Sequence, residues 1–292
     1  MAITDALINY RRWLKRRNHS ACTVRNYMST LKGFVLWLDT PIEHATSKNI
    51  LSFIDHLLDQ RLTPKTINCY LDSIRSFYNY LINEEVVDLS HPVKRGYVLR
   101  LARPLPRYLR DEEVPRLFKV IKDPRDRAIF MLMLRCGLRV AEVAGLTLAA
   151  LDLPRCQLFV YEGKGMKDRV VYLSHDAEEA LLAYLKVRPP SRVKRLFLVG
   201  KGRCSGNPMS VRAIQKRMEH YAHEAGLKVS CHHLRHTMAT QLLNADADLV
   251  TIQDLLGHSR IKTTQRYCKV SNLKVQRDYQ AAIEKVMQRH NF

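Results

Sequence analysis

At 292 residues the chain is long enough for two domains with substantial cores. Lys and Arg number 48 against 28 Asp and Glu, and this excess of 20 positive charges points to a polyanionic partner. No apolar run reaches the ~18 residues that a membrane span requires. The seven cysteines are scattered without a close pair, which fits a reducing cytoplasm. Neither an internal repeat nor a low-complexity tract interrupts the pattern.

Residues 1 to 98 read as a helical unit. Ile8, Trp13 and Leu14 lie among Arg11, Arg12, Lys15, Arg16 and Arg17, the pattern of a helix with an apolar stripe and a basic flank. A second helix is expected from about Ala21 to Asp39, with Tyr27, Leu31, Phe34, Val35 and Leu38 at helical spacing. A third carries Ile50, Phe53, Ile54 and Leu57. The fourth follows Thr63-Pro64, a sound helix start because proline at the first helical position forfeits no needed hydrogen bond. Its aromatic residues share the apolar stripes and are assigned to the core rather than to base stacking. This unit holds 13 basic and 9 acidic residues, so most of the excess positive charge lies in the rest of the chain.

Gly96 to Tyr108 marks a boundary, with a basic linker over residues 99–108. Arg100, Arg103 and Arg107 are interleaved with Pro104 and Pro106. Proline keeps the residue before it extended. An extended basic connector suits a phosphate backbone, and it suits open solvent equally well.

The second unit, 109–292, opens with Asp111-Glu112-Glu113, acidic residues suited to the positive end of a helix reaching Ile121. Asp123-Pro124 begins another, whose run from Ile129 to Leu134 reads as fully buried and which Gly137 closes. Arg139 then sits on a short helix with Glu142 one turn later, a spacing that lets the carboxylate orient the guanidinium. The same pair on an exposed surface would matter little.

Leu158 to Glu162 and Val170 to Leu173 read as a β-hairpin. Its turn, Gly163-Lys164-Gly165-Met166-Lys167-Asp168, is glycine-rich but lacks the form of a nucleotide-binding loop. Lys164 is suited to protonating a leaving oxygen, and Lys167 and Arg169 are expected at phosphates or in water. A surface helix from Asp176 to Leu185 and a basic loop from Arg188 to Arg195 follow. Ser210 caps a helix that Gly226 stops. Its Arg212, Lys216 and Arg217 are candidates for entering a groove of a polyanionic partner, although a solvated face is the commoner fate of such charges.

The most informative stretch is His232 to Tyr267. On a helix starting near His232, that residue and Arg235 point at one spot. Leu255-Leu256-Gly257-His258 ends a second helix, with Gly257 suited to the left-handed conformation that would project His258 towards the same place. An arginine flanked by histidines, with no nearby carboxylate, makes a cradle for an oxyanion or phosphate. It is a poor metal site: Cys231, His232, His233 and His236 have no accompanying second ligand pair. Tyr267 adds a hydroxyl able to attack phosphorus once its proton is removed, which its ordinary pKa of about 10 makes a task for its neighbours. Beyond it, Asn272 begins a last helix over 272–290 with Val275, Tyr279, Ile283 and Val286 on one stripe.

His232-x-x-Arg235, Leu256-Gly257-His258 and a tyrosine nine residues on resemble the C-terminal signature of the tyrosine recombinases, the lambda-integrase, Cre and Xer family. Gly137-Leu138-Arg139-Val140-Ala141-Glu142 and the lysine hairpin at Lys164 resemble the family's other motifs, in the same order along the chain. The resemblance implies a mainly helical protein with a small β-hairpin or sheet: a helical core-binding domain and a catalytic domain that clamp duplex DNA. It implies that Tyr267 attacks a backbone phosphate to give a 3′-phosphotyrosyl link. Arg139 and Arg235 would hold the non-bridging oxygens, with Glu142 buttressing Arg139. His232 would assist Tyr267, His258 would hydrogen-bond the phosphate, and Lys164 would protonate the leaving 5′ oxygen.

The expected partners are double-stranded DNA with a specific recombination site and further recombinase subunits, as a homotetramer on two sites or with a related subunit. No membrane, metal or cofactor is expected, and the expected location is the cytoplasm. With so short an N-terminal stretch, the arm-site domain of lambda-like integrases is not expected, and a Xer-like or transposon-encoded simple recombinase is expected. A type IB topoisomerase sharing the pocket and a non-catalytic DNA-binding regulator are the two alternatives.

Overall fold

The computed structural model describes residues 3–84, 89–102, 106–161, 168–258, 261–268 and 272–290. The chain divides into two compact units, Met1–Arg103 and Pro104–Phe292. Arg103, Lys164 and Lys167 lie outside the described residues. Among the described residues no helix is long and apolar enough to cross a membrane.

The first unit is built from α1 (Ile3–Arg16), α2 (Ala21–Trp37), α3 (Ser47–Asp59) and α4 (Pro64–Asn83). Each boundary after α1 has a local cause. The hydroxyls of Ser20, Thr46 and Thr63 accept from backbone N–H groups at the starts of α2, α3 and α4, and Pro64 occupies the first turn of α4. The helices bury Tyr10, Leu14, Leu31, Phe34, Phe53 and Phe77 in one core. Tyr10 and Phe77 meet edge-to-face at 5.2 Å between ring centroids, a geometry favoured by the aromatic quadrupoles. The aromatic residues of this unit are therefore largely structural.

The second unit begins with α5 (Glu113–Val120), α6 (Pro124–Arg135) and α7 (Val140–Gly145). A three-stranded antiparallel sheet follows, ordered β1 (Leu151–Asp152), β2 (Gln157–Val160) and β3 (Arg169–Tyr172). Leu158 pairs with both Leu151 and Val171, which sets the register. Helices α8 (His175–Val187), α9 (Val211–Glu224), α10 (Cys231–Asn244), α11 (Leu249–Leu256), α12 (Ile261–Cys268) and α13 (Asn272–His290) complete the unit. The hairpin is present, but it gains the short first strand, which two residues are too few to announce in a sequence. The basic segment before Tyr267 is itself a helix, α12.

Helix α6 is the central post. Ile129, Phe130, Leu132, Met133 and Leu134 are all buried, as expected of a helix apolar on every side. Gly137 follows it with φ +62°, and a Cβ there would lie 2.9 Å from Leu256 Cδ2 and 3.1 Å from Met238 Sδ. Glycine is thus required twice at this position, for the left-handed turn and for the close approach of α10 and α11. That approach brings the ends of α6 and α11 against the middle of α10.

Candidate active site

The short helix α7 opens at Arg139, whose backbone N–H donates to Glu142 Oε2 at 2.8 Å. The Arg139 guanidinium donates to Glu142 Oε1 at 2.7 Å, so the carboxylate fixes both the backbone and the side chain of this arginine. Glu142 also receives Arg169 from β3, with Nη1 at 3.0 Å from Oε1 and Nη2 at 2.8 Å from Oε2. Burial alone would raise the pKa of this carboxyl, but the two guanidinia outweigh it and hold the group at about 2.

Arg235 is 1% exposed, on the α10 face that meets α6 and α11. Its guanidinium donates to the carbonyl of Gly137 at 2.5 Å and to the carbonyl of Leu256. These acceptors lie on the turn after α6 and on the last residue of α11, where helix carbonyls lack internal partners. Carbonyls orient the cation without neutralising it. Burial, and then the charge of Arg139, push its pKa down to about 9, so it remains charged at neutral pH.

Gly257 ends α11 in the left-handed conformation, φ 59° and ψ 49°, and the chain delivers His258 to the same pocket. Its Nδ1 lies 2.9 Å from the Thr264 hydroxyl. Burial, and then the charges of Arg235, Arg139, Arg169 and His232, lower its pKa to about 4. His258 is therefore neutral at physiological pH and able to donate one N–H without adding charge. Among the described residues named here, three guanidinia face a single carboxylate. The pocket is thus electrostatically incomplete, in the sense that an anionic phosphate would correct. An open cleft of about 650 Å³ adjoins Arg139 and Glu142, bounded further by Phe159, Tyr161 and Arg195.

Tyr267 lies on α12 and is 2% exposed, packed with Met238, Leu243, Ile252 and Leu256. Its hydroxyl is 2.8 Å from Nδ1 of His236, and its ring is parallel to that of His258 at 6.4 Å. His232 is exposed one helical turn before His236, and the two rings meet edge-to-face at 4.2 Å. The sequence reading gave His236 no part in the chemistry. The available signal was its i, i+4 spacing from His232, which puts both on one face of α10.

Two residues expected at DNA, Arg169 and Arg217, are engaged within the unit. Arg169 is not free for phosphates: its side chain is 8% exposed and its fork is committed to Glu142, with Nε donating to the Leu255 carbonyl at 2.8 Å. Arg217, its side chain 36% exposed, reaches in to Asp126, with Nε 2.5 Å from Oδ2 of that fully buried residue and a further hydrogen bond to the Tyr221 hydroxyl. Asp126 also receives Arg125 at 2.8 Å, so two guanidinia share this buried carboxylate. Arg100, Arg107, Arg212 and Lys216 are exposed. Arg212 pairs at 3.6 Å with Glu219 on the same helix. Arg107 is close enough to add to burial in lowering the pKa of His233. Among the described residues, no group of three or more His, Cys, Asp or Glu is arranged to hold a metal ion.

Residues 107–273 match the phage integrase family, and residues 7–85 match the N-terminal SAM-like domain of phage integrases. The chain belongs to the phage integrase family. Among its relatives, the tyrosine recombinase XerA of Thermococcus kodakarensis is 32% identical over 288 residues, covering 97% of this chain and 98% of the relative. The tyrosine recombinase XerC of Chlorobaculum tepidum is 34% identical, with 87% of each chain covered. Among solved structures, a lambda integrase(75-356) dimer bound to a COC′ core site superposes with a TM-score of 0.75 at 18% identity. That superposition covers 91% of this chain and 95% of the integrase, and at this identity it bears on the fold. As a phage integrase family member related to the Xer proteins throughout its length, the chain is a tyrosine recombinase, an enzyme of DNA strand transfer.

Proposed function

We propose that this recombinase cuts and rejoins DNA at a specific site through a covalent link between Tyr267 and a 3′ phosphate. The observation that carries the assignment is the convergence of Arg139, Arg235 and neutral His258 on one pocket with an excess of cationic charge, beside the Tyr267 helix. Arg139 and Arg235 hold the non-bridging oxygens and stabilise the charge that builds as the tyrosine oxygen bonds to phosphorus. His258 donates a hydrogen bond to the same phosphate. His232 takes part in removing the Tyr267 proton, and Lys164 protonates the 5′ oxygen as its bond to phosphorus breaks. Glu142 holds Arg139 in register.

The phosphotyrosyl ester retains the energy of the broken phosphodiester, so a 5′-hydroxyl can reverse the step without a nucleotide or metal. Residues 1–98 act as the core-binding domain, 99–108 as the linker and 109–292 as the catalytic domain. Arg100, Arg103, Arg107, Lys167, Arg212 and Lys216 supply phosphate or groove contacts. The protein works in the cytoplasm as a tetramer on two DNA sites, formed with further copies or with a related recombinase.

The deciding experiment uses a duplex nicked near the scissile phosphate, so that cleavage traps the covalent adduct. Wild-type protein should accumulate a protein–DNA adduct. Tyr267→Phe should bind the duplex with unchanged affinity and trap none. An adduct formed at the normal rate by the Phe variant would overturn the assignment of the nucleophile.

A further inference from the structure

We infer that Arg169 is a positioning residue for this reaction, acting on the phosphate through Glu142 and Arg139 and on His258 through the end of α11. The inference rests on the recombinase reading above. The two oxygens of Glu142 are shared between two arginines. Oε1 accepts from the Arg139 guanidinium at 2.7 Å and from Arg169 Nη1 at 3.0 Å. Oε2 accepts from the Arg139 backbone N–H and from Arg169 Nη2, both at 2.8 Å. Each oxygen therefore holds one donor from each arginine, and the carboxylate cannot rotate without breaking all four bonds.

All three guanidinium nitrogens of Arg169 are occupied, because Nε donates to the Leu255 carbonyl at 2.8 Å. That carbonyl belongs to the last turn of α11, three residues before His258. The Arg169 stem also lies against the following turn, where a Cβ at Gly257 would sit 3.1 Å from Arg169 Cδ. Its side chain is 8% exposed. Three of the five N–H groups of Arg169 are engaged, one from each nitrogen, and the fork that could grip a phosphate is closed by Glu142. It joins β3, α7 and the end of α11 through a single planar group.

Glu142 is equally buried, its side chain 7% exposed. Without Arg169 it would keep only Arg139 against the cost of burial, and the geometry of Arg139 would loosen with it. A lysine cannot replace the fork, since one ammonium cannot meet both carboxylate oxygens in plane and the Leu255 carbonyl together. Placement errors of this kind affect the transition state far more than ground-state DNA binding, which is spread over many phosphates.

The test is single-turnover cleavage of the nicked duplex at saturating protein, with Kd measured in parallel. Arg169→Gln should slow cleavage at least ~10-fold with Kd within ~3-fold of wild type. Arg169→Lys should remain at least ~5-fold slow, because charge without the fork is insufficient. On a Glu142→Gln background, Arg169→Gln should add less than ~3-fold, whereas a residue serving only general folding would multiply its full loss. If Arg169→Gln does not fold, the Lys variant alone decides.

Wild-type cleavage rates in either Arg169 variant, or losses that multiply in full with Glu142→Gln, would overturn the assignment. Wild-type protein that formed no adduct would overturn the recombinase reading and this assignment with it. Normal wild-type cleavage with unaffected Arg169 variants would overturn this assignment alone.

Discussion

The Tyr267 hydroxyl lies 2.8 Å from Nδ1 of His236, a hydrogen bond between α12 and α10 inside a small apolar cluster. A phenol in such a place needs a partner, because a buried hydroxyl left without one costs about 1–3 kcal/mol. The same nitrogen is a candidate acceptor for the phenol proton. His236→Ala should therefore slow single-turnover cleavage of the nicked duplex about tenfold or more, with DNA affinity unchanged. A faster adduct in this variant would show that the contact restrains Tyr267 rather than assisting it.

Two groups of the pocket predict how stability depends on pH. Glu142 is held at about 2, below the usual carboxylate range, so its contribution is complete above pH ~4.3 and is lost as pH falls towards 2. His258 is held at about 4, so between pH ~6.5 and 4 the unfolded chain binds a proton that the folded chain refuses. Both effects make stability fall as pH falls, His258 first. Urea midpoints measured from pH 7 to pH 4 should drop for the wild type and drop less for His258→Asn. Phosphate in the pocket should raise the His258 pKa, an upward shift visible in its imidazole NMR titration on DNA binding. Identical pH slopes in the two proteins would remove His258 from this role.

Lys164 is proposed as the general acid, and substrate chemistry tests it. Lys164→Ala should slow cleavage of an ordinary 5′-oxygen substrate about 100-fold, within the range for a general acid. A substrate with bridging 5′-sulfur, whose leaving group needs no proton, should recover most of that loss. Equal slowing on both substrates would assign Lys164 to phosphate binding instead.

Helix α13 leaves Tyr279, Val286 and Met287 exposed, an apolar stripe just beyond the nucleophile helix. We expect this helix to dock on a neighbouring recombinase subunit, where burial of apolar surface at ~25 cal/mol per Å² biases assembly without making the free protein oligomeric. Protein lacking residues 274–292 should stay folded and bind a single site as a monomer. It should lose cooperative pairing of two sites in mobility-shift assays, and recombination with it. A loss of thermal stability before any loss of pairing would place the helix on its own domain.

Much of this was legible in the residues. Thr63-Pro64 opens α4, Asp123-Pro124 opens α6, and Gly257 ends α11 in the left-handed conformation, because caps and glycines act over a few residues. Arg235 and His258 were legible as one cluster because helix geometry and one turn relate them. Arg169 and Arg217 were not. Their partners are 27 and 91 residues away, and only the folded chain reveals that each guanidinium answers a buried carboxylate. Helix α12 was missed for a different reason: Ile261 to Arg266 is polar and basic, and its few apolar side chains give no period to read.

The hold of Arg217 on Asp126 has a consequence for α9. Ile214, Met218 and Tyr221 hold one side of this helix to the core, and Arg217 locks it to Asp126 on α6. Arg212 and Lys216 stand on the other side, free of that lock. Evolution can therefore rewrite the outward letters of α9 without disturbing its mounting, as a printer changes type in a fixed frame. On the proposal that Arg212 and Lys216 contact the groove, a library randomised at 212 and 216, with 217 and 221 held constant, should yield variants with altered site preference.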